Sequence, residues 1–317
     1  MRIGFFGEVM REHRADGLGY GFGGDTLNTA LYLHRLARQS AADIQVQYFT
    51  MLGRDASSAL LCDKLQAEGL ALQATRHPQR HIGQYWIDTD ASGERSFRYQ
   101  RDNSAARHYF KNGISALEHA LADGSLDALY LSGISLAILD ETDRQRLYCA
   151  VAAFVRRGGW FIFDNNFRPL LWSHTTAARW QQLLLPLCTL ALLTDSDERL
   201  IWQQPRAGAA DLVAAAQRAG AGVVVLKCGP APCWLGTSAT VLQVAAQPVA
   251  QVVDSSGAGD AFAGGFLARF LTAPTDLAAA AQCGHRLAAA VVQQHGAIID
   301  PAQMPQMLPV TEGGCDA

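Results

Sequence analysis

The sequence predicts an α/β protein with a doubly wound, mostly parallel sheet that has helices on both faces. Short apolar segments alternate with longer segments of helical period through most of the 317 residues. Strands of a parallel sheet are buried on both faces and therefore read as continuous apolar runs, with helices joining their ends. Two segments, 11–24 and 83–103, interrupt the alternation.

The elements of the main body follow one another in a regular order. The first strand is expected at IGFFG, and the next elements are the helix DTLNTALYLHRLARQ, the strand VQYFTMLG and the helix SSALLCDKLQAEG. The later strands are expected at ALYLSG, WFIFD, TLALLT and GVVVLKCG, each before a segment with a helical pattern. Because no repeat or linker divides the chain, residues 1–317 are interpreted as one domain.

The two interrupting segments predict a second, smaller sheet. Segment 11–24 is rich in glycine, and in 83–101 aromatic residues alternate with polar ones around the turn DASG, as in a β-hairpin with one exposed face. We expect the two segments, about 11–24 and 83–103, to pair into a discontinuous sheet that forms a lid over the main body. The edge of such a sheet is also a surface through which the chain would form a homo-oligomer.

Charge and cysteine content exclude several classes of protein. The net charge of −3 gives no electrostatic reason to expect nucleic acid or a membrane surface as a partner. The seven cysteines, the last of them Cys315, are irregularly spaced, which is typical of reduced thiols. No uncharged apolar stretch is long enough to span a bilayer, and MRIGFFGEVM is interpreted as a strand rather than a secretion signal. We therefore expect a cytoplasmic protein.

The stretch DSSGAGDAFAGGFLARF carries the strongest chemical signal. Gly257, Ala258 and Gly259 stand directly before Asp260 and an apolar helical stripe. Amide groups at a helix start stabilise phosphoryl oxygens, and an acid on the same turn suits a kinase whose carboxylate orients an attacking hydroxyl. The alternative is an ordinary helix start, in which the acid offsets the helix dipole. Neither a Walker A loop nor a G-x-G-x-x-G dinucleotide loop is present.

Two motifs of the chain resemble the two signatures of the ribokinase-like (PfkB) carbohydrate kinases. The stretch DSSGAGD, which ends at Asp260, is similar to D-T-x-G-A-G-D, with Ser255 in place of Thr. The other signature, a Gly-Gly pair followed by Asn, is similar to GGDTLN at 23–28, where glycine would supply backbone angles closed to other residues. Without the second motif, this one is also compatible with a plain turn capped by Asp25. The resemblance implies ATP as phosphoryl donor, Asp260 as base and the Gly257–Gly259 amides as anion hole.

Further stretches of the sequence are similar to one group of members within this family. GERSFRYQRDNSAA, LYLSGISLAIL, FDNNFRP and GAII are similar to family members that phosphorylate the sugar acid 2-dehydro-3-deoxy-D-gluconate at its C6 hydroxyl. Arginine matches a carboxylate bidentately, as an acidic sugar requires. Two alternatives stay open: a kinase for another sugar, such as fructose or a different keto acid, and a non-catalytic sugar-acid sensor, which would not need Asp260. The resemblance implies a substrate pocket formed by Gly24, Asp25, Asn28, Tyr85, Tyr99, Arg101, Arg168 and Asp260.

The other hairpin arginines, Arg95 and Arg98, are interpreted as solvated side chains.

The resemblance also implies an ATP site, with the segment 282–296 as the wall on its adenine side. The residues expected to contact ATP are Asn166, Arg168, Lys227, Gly229, Gly257, Ala258 and Gly259.

The metal prediction rests on a family motif, N-x-x-E, that organises Mg²⁺ through water. The matching positions are Asp195 and Glu198, with Asp in place of the usual Asn. Mg²⁺ prefers oxygen ligands and keeps several waters, so we expect Glu198 to contact it through water, with Asp254 as a second contributor. The alternative is that Asp195, Asp197 and Glu198 form a solvated helix start.

Overall fold

The computed structural model describes residues 1–14, 20–89 and 95–306, so the tips 15–19 and 90–94 of the predicted lid and Cys315 lie outside it. The strands in these ranges are β1 (Arg2–Phe6), β2 (Met10–Arg14), β3 (Tyr20–Gly23), β4 (Gln45–Leu52), β5 (Ala71–Arg76), β6 (Gly83–Thr89), β7 (Arg95–Gln100), β8 (Ala128–Ser132), β9 (Trp160–Asp164), β10 (Leu190–Thr194), β11 (Val223–Lys227), β12 (Cys233–Gly236) and β13 (Val241–Val244). The α-helices are α1 (Asp25–Gln39), α2 (Ala56–Glu68), α3 (Ala116–Ala122), α4 (Gly133–Ala137), α5 (Glu141–Arg156), α6 (His174–Leu184), α7 (Asp195–Ile201), α8 (Ala209–Arg218), α9 (Ala258–Phe270) and α10 (Leu277–Val291).

The main sheet has the predicted doubly wound form. Its described strands run in the order β13-β12-β11-β10-β9-β8-β1-β4-β5, and all neighbours pair in parallel except β12 and β13 at one edge. The chain builds β4 and β5 on one side of β1 and then β8 to β11 on the other. In open α/β sheets, ligands bind beyond the carboxyl ends of the strands at such a switch point.

Two apolar layers cover the two faces of this sheet. Along β10, Leu190 and Leu192 belong to one buried cluster, and Ala191 and Leu193 belong to another. Successive side chains of a strand point to opposite faces, so an apolar run of this kind requires packing on both sides. The continuous apolar strands of the sequence therefore predicted the layering correctly.

The two interrupting segments form the predicted small sheet, in the order β3-β2-β6-β7. Strand β2 pairs in parallel with β6, although the two strands lie far apart in the chain. In this register Tyr85 lies opposite both Glu12 and Tyr99, so these three residues share one face of the sheet. His13 and Trp86 lie on the other face, with their rings stacked and their centroids 4.7 Å apart.

Helix α9 packs closely between α1 and α10 because two of its residues lack a side chain. A Cβ atom added to Gly264 would lie 2.7 Å from the Cβ atom of Tyr32, and one added to Gly265 would lie 2.7 Å from the carbonyl oxygen of Cys283. Phe262, Phe266 and Phe270 are buried, as the sequence pattern predicts. This packing brings the first turns of α1 and α9 together.

Two chain-wide expectations concern thiols and membranes. The cysteines of the described ranges, from Cys62 to Cys283, are free thiols. Over the same described residues, no helix is both long enough and apolar enough to cross a bilayer.

Candidate active site

The turn before α9 has the geometry of an anion-binding site. Gly257 has φ 71°, and a Cβ atom there would lie 2.7 Å from the carbonyl oxygen of Ala297, so only glycine fits without strain. The amides of Gly259 and Asp260 belong to the first helical turn, where backbone N–H groups have no intrahelical partner. Ala258 donates only a long hydrogen bond, 3.3 Å, to the carbonyl oxygen of Ser255. The turn therefore offers amides and the positive end of a helix to a phosphoryl group.

Asp254 fastens this turn to the chain that follows α10. Its Oδ1 accepts a hydrogen bond of 3.0 Å from the amide of Ser256, and its Oδ2 accepts one of 2.7 Å from the amide of Gly296. The side chain is buried. Both carboxylate oxygens thus hold backbone in place, and a contact of Asp254 with Mg²⁺ through water stays a prediction.

Asp260 connects the two sequence signatures. The side-chain amide of Asn28 donates a hydrogen bond of 2.8 Å to Oδ2 of Asp260. Burial, and then the charge of Asp25, raise the pKa of Asp260 to about 7, although the hydrogen bond from Asn28 opposes the shift. A carboxylate with a pKa near neutrality is suited to accept a proton in catalysis.

Asn166 lies between two acids, Asp25 and Asp164. Its side chain donates a hydrogen bond of 2.8 Å to Oδ2 of Asp25, and its backbone N–H donates one of 3.2 Å to Oδ1 of Asp164. Burial raises the pKa of Asp25, although hydrogen bonds from Ser132 and Thr26 and, to a smaller extent, the charge of the exposed Arg168 oppose this shift. Asp25, Asn166 and Arg168, which were predicted for the substrate and ATP sites, are therefore neighbours beyond the end of β9.

Lys227 supplies a cation beside the turn that precedes α9. Its Nζ lies 2.7 Å from Oδ2 of Asp164, and a Cβ atom added to Gly259 would lie 3.8 Å from Nζ. Two residues further on, Gly229 is exposed, with φ 58°. Asp164 was missed in the sequence, although an acid at the carboxyl end of a central strand was the available signal.

The predicted substrate residues of the small sheet form a second cluster. The Arg101 guanidinium donates two hydrogen bonds to Oε2 of Glu8, one from Nε at 2.9 Å and one from Nη2. The Tyr85 hydroxyl donates a hydrogen bond of 2.5 Å to Glu12, and the rings of Tyr85 and Tyr99 have centroids 5.9 Å apart. Glu8 was also missed, and its signal was its place as the first acid after β1 at the switch point.

Gly23 and Gly24 join the two clusters, but the predicted reason for these glycines was wrong. Gly24 has φ 166°, an extended conformation that any residue adopts. What glycine provides here is space: a Cβ atom on Gly24 would collide with the carbonyl oxygen of Glu8. A Cβ atom on Gly23 would lie 2.9 Å from the Tyr85 hydroxyl oxygen and 3.9 Å from Oδ1 of Asn28.

Glu198 lies in a nest of neutral donors rather than at a solvated helix start. Its carboxylate accepts hydrogen bonds from the side chains of Asn165, at 2.9 Å, Gln181, at 2.6 Å, and Trp202, at 3.0 Å. Burial raises its pKa. Asp195, by contrast, pairs with Arg199 on the same helix at 2.6 Å. Within the described residues, no three His, Cys, Asp or Glu side chains form a group that could hold a metal ion directly.

The charge of Asp25 gives a testable pH dependence. A catalytic base works only when it is ionised, so if Asp260 is the base, as the sequence predicts, kcat/KM should fall as the pH drops below about 7, the pKa of Asp260. Asp25→Asn removes a like charge that raises this pKa, so the acidic limb should move to lower pH. The measurement is kcat/KM between about pH 5 and about pH 9. A limb that does not move would show that Asp25 does not tune Asp260.

The chain is similar to known proteins along nearly its whole length. The chain matches the pfkB family of carbohydrate kinases over residues 5–304. It is 38% identical to the 2-dehydro-3-deoxygluconokinase of Escherichia coli K12 across 96% of this chain and 99% of that protein. A protein of the same name from Dickeya dadantii is 38% identical across 96% of this chain and 98% of its own length.

Solved structures give the same result for the fold. A 2-dehydro-3-deoxygluconokinase from Thermotoga maritima superposes with a TM-score of 0.81 at 18% identity, over 94% of each chain. The family match covers nearly the whole chain, and both family signatures meet at Asn28 and Asp260 in the structure. The chain belongs to the pfkB family of carbohydrate kinases.

Proposed function

We propose that the protein transfers the γ-phosphoryl group of ATP to the C6 hydroxyl of 2-dehydro-3-deoxy-D-gluconate, giving the 6-phosphate and ADP. The observation that supports the proposal is the hydrogen bond between Asn28 and Asp260, which joins the two signature motifs at a carboxylate whose pKa of about 7 suits a base. The relatives that are 38% identical over nearly the full chain carry this activity in their name. Arg101 and the exposed Arg168 would be the cations that pair with an acidic sugar.

The chemistry requires little covalent participation from the protein. Asp260 orients the sugar hydroxyl and accepts its proton as the oxygen attacks the γ-phosphorus. The amides of Gly257–Gly259 and the Lys227 ammonium stabilise the charge on the transferring group. At neutral pH a carboxylate with a pKa of about 7 is ionised in a large share of molecules, and the bound cations of the nucleotide increase that share.

A divalent cation would enter this site together with ATP. The charges of Asp25 and Asp164 act on Asp260, and Lys227 pairs with Asp164, but no three acids of the described residues form a group that could hold the ion directly. Mg²⁺ keeps several waters and binds substrate phosphates, so it needs few direct protein ligands. When bound, it would neutralise charge on the ATP phosphates. Glu198 fits only an indirect role, because neutral donors already occupy its carboxylate.

The small sheet is proposed to act as a lid. Tyr85, Tyr99 and Arg101 would contact the sugar acid from this side, and closure would exclude water that otherwise hydrolyses ATP. Asn166, Lys227 and Gly229 would contact ATP on the opposite side. The edge strands β3 and β7 are where a second copy of the chain would pair, which the molar mass in solution would test.

A substrate panel tests the proposed function directly. With ATP and Mg²⁺, we expect kcat/KM for 2-dehydro-3-deoxy-D-gluconate to exceed that for fructose by about 100-fold or more. A neutral sugar would leave the groups that pair with the substrate carboxylate without a partner. ADP release is measured for each sugar. Preference for a neutral sugar would overturn the substrate and keep the kinase activity. Binding of the sugar acid without any turnover would identify a sensor.

A further inference from the structure

Glu8 and Arg101 form a buried ion pair at the base of the small sheet. The Glu8 side chain is 1% exposed and that of Arg101 is 7% exposed. Both hydrogen bonds of the pair go to a single oxygen, Oε2 of Glu8, while the buried Oε1 has no hydrogen-bond partner within the described part of the chain. Each group is therefore the main charge partner of the other.

A missing side chain makes room for this carboxylate. A Cβ atom added to Gly83, where β6 begins, would lie 2.8 Å from Oε1 of Glu8 and 3.2 Å from the Cβ atom of Arg101. The same atom would lie 3.0 Å from Met10 in β2. The exit of β1 and the small sheet thus meet at the carboxylate, and the space is shaped for it.

The two hydrogen bonds to Glu8 occupy one edge of the Arg101 guanidinium and leave a second edge without a hydrogen bond to Glu8. Arginine carries five N–H groups in a rigid planar fork. Glu8 accepts from Nε and Nη2, whereas Nη1 donates no hydrogen bond to any residue that the structure describes. The Arg101 guanidinium carbon lies 5.9 Å from the ring centroid of Tyr99, which is 46% exposed. The guanidinium therefore lies near the face of the sheet that carries Tyr85 and Tyr99.

We propose that Glu8 is a positioning residue for the acidic group of the sugar: it holds Arg101 so that the remaining guanidinium edge pairs with the substrate carboxylate. This inference rests on the proposed function. An arginine that is already immobilised loses less side-chain entropy when it binds, which is the general advantage of preorganisation. Glu8 thereby contributes to sugar-acid affinity without touching the sugar.

A matched ion pair elsewhere separates positioning from stability. Arg35 on α1 donates from Nε and Nη2 to both oxygens of Glu68 at the end of α2, and its side chain is also mostly buried. Glu68→Ala removes an ion pair of the same kind that contains no predicted substrate residue. It is the control for Glu8→Ala.

The experiment compares the wild type with Glu8→Ala, Glu8→Gln, Glu8→Asp and Glu68→Ala. KM and kcat are measured for 2-dehydro-3-deoxy-D-gluconate and for ATP, with thermal unfolding as a check of folding. We expect Glu8→Ala to raise KM for the sugar acid about tenfold, the cost of ordering one long side chain, with KM for ATP within about twofold. Glu8→Gln keeps an acceptor oxygen and should recover most of the affinity.

The remaining variants make the result decisive. Glu68→Ala should leave the ratio of the two KM values unchanged. Glu8→Asp withdraws the carboxylate by one methylene, so it should raise KM for the sugar acid as well, and it answers the question if Glu8→Ala does not fold. Equal changes in both KM values, or the same split in Glu68→Ala, would overturn the inference. A wild type that does not phosphorylate the sugar acid would instead contradict the proposed function.

Discussion

Asp260→Asn is expected to lower kcat by about 10²- to 10⁴-fold, the range that a positioned base contributes, while ATP binding is kept. Asn has nearly the shape of Asp and still accepts the hydrogen bond from Asn28, but it cannot take the proton of the sugar hydroxyl. The backbone amides of the turn, which are proposed to bind the phosphoryl group, are unchanged by the substitution. The measurements are single-turnover phosphoryl transfer and ATP affinity by titration.

The control for this prediction is an acid in the first turn of another helix. Asp211 is exposed in the first turn of α8, and Asp211→Asn removes the same charge from an equivalent position. If Asp260 acted only through the helix dipole, worth about 0.3–1 kcal/mol, both variants would lose a little stability and keep their turnover. Retained turnover in Asp260→Asn would refute its role as base.

The fold could be predicted because its signals are local. Continuous apolar strands such as WFIFD need cover on both faces, and the spacing of Phe262, Phe266 and Phe270 fixes the buried side of α9 whatever else surrounds it. The turn before α9 could be predicted for the same reason. Its positive φ at Gly257 and the lack of a side-chain cap on its first helical turn are properties of a few adjacent residues.

The partners of Arg101 and Lys227 could not be predicted, because they come from distant parts of the chain. Arg101 meets Glu8 across 93 residues of sequence, and Lys227 meets Asp164 across 63. A single acid after a strand carries no periodic pattern that would identify its partner. The same limit affects Glu198, whose motif gave no sign of the three neutral donors around it.

The glycine pair shows a related limit. Positive φ and close approach both select glycine, and a sequence does not distinguish them. At Gly257 the structure shows both reasons, whereas at Gly24 it shows only the lack of space next to Glu8. The correct residue was therefore predicted with the wrong cause, and only the position of the β1 exit loop could correct it.

Arg101→Ala is expected to lower the free energy of unfolding by about 3–5 kcal/mol, besides weakening the binding of the sugar acid. The reason is the partner that it leaves behind. Glu8 is almost fully buried and its Oε1 has no hydrogen-bond partner among the described residues, so the loss of Arg101 leaves a buried carboxylate without its cation. Urea unfolding followed by circular dichroism measures the change.

The double variant Glu8→Ala/Arg101→Ala tests this reasoning, because it removes the buried charge together with its cation. We expect it to be more stable than Arg101→Ala alone, since replacing both partners of a buried ion pair costs less than replacing one. The coupling between the two sites should then be clearly non-additive. Additive losses would mean that Glu8 and Arg101 contribute independently. The double variant also separates lost binding from lost stability. If it binds the sugar acid as weakly as Arg101→Ala although it unfolds less readily, the rise in KM of Arg101→Ala is caused by the lost contact with the substrate.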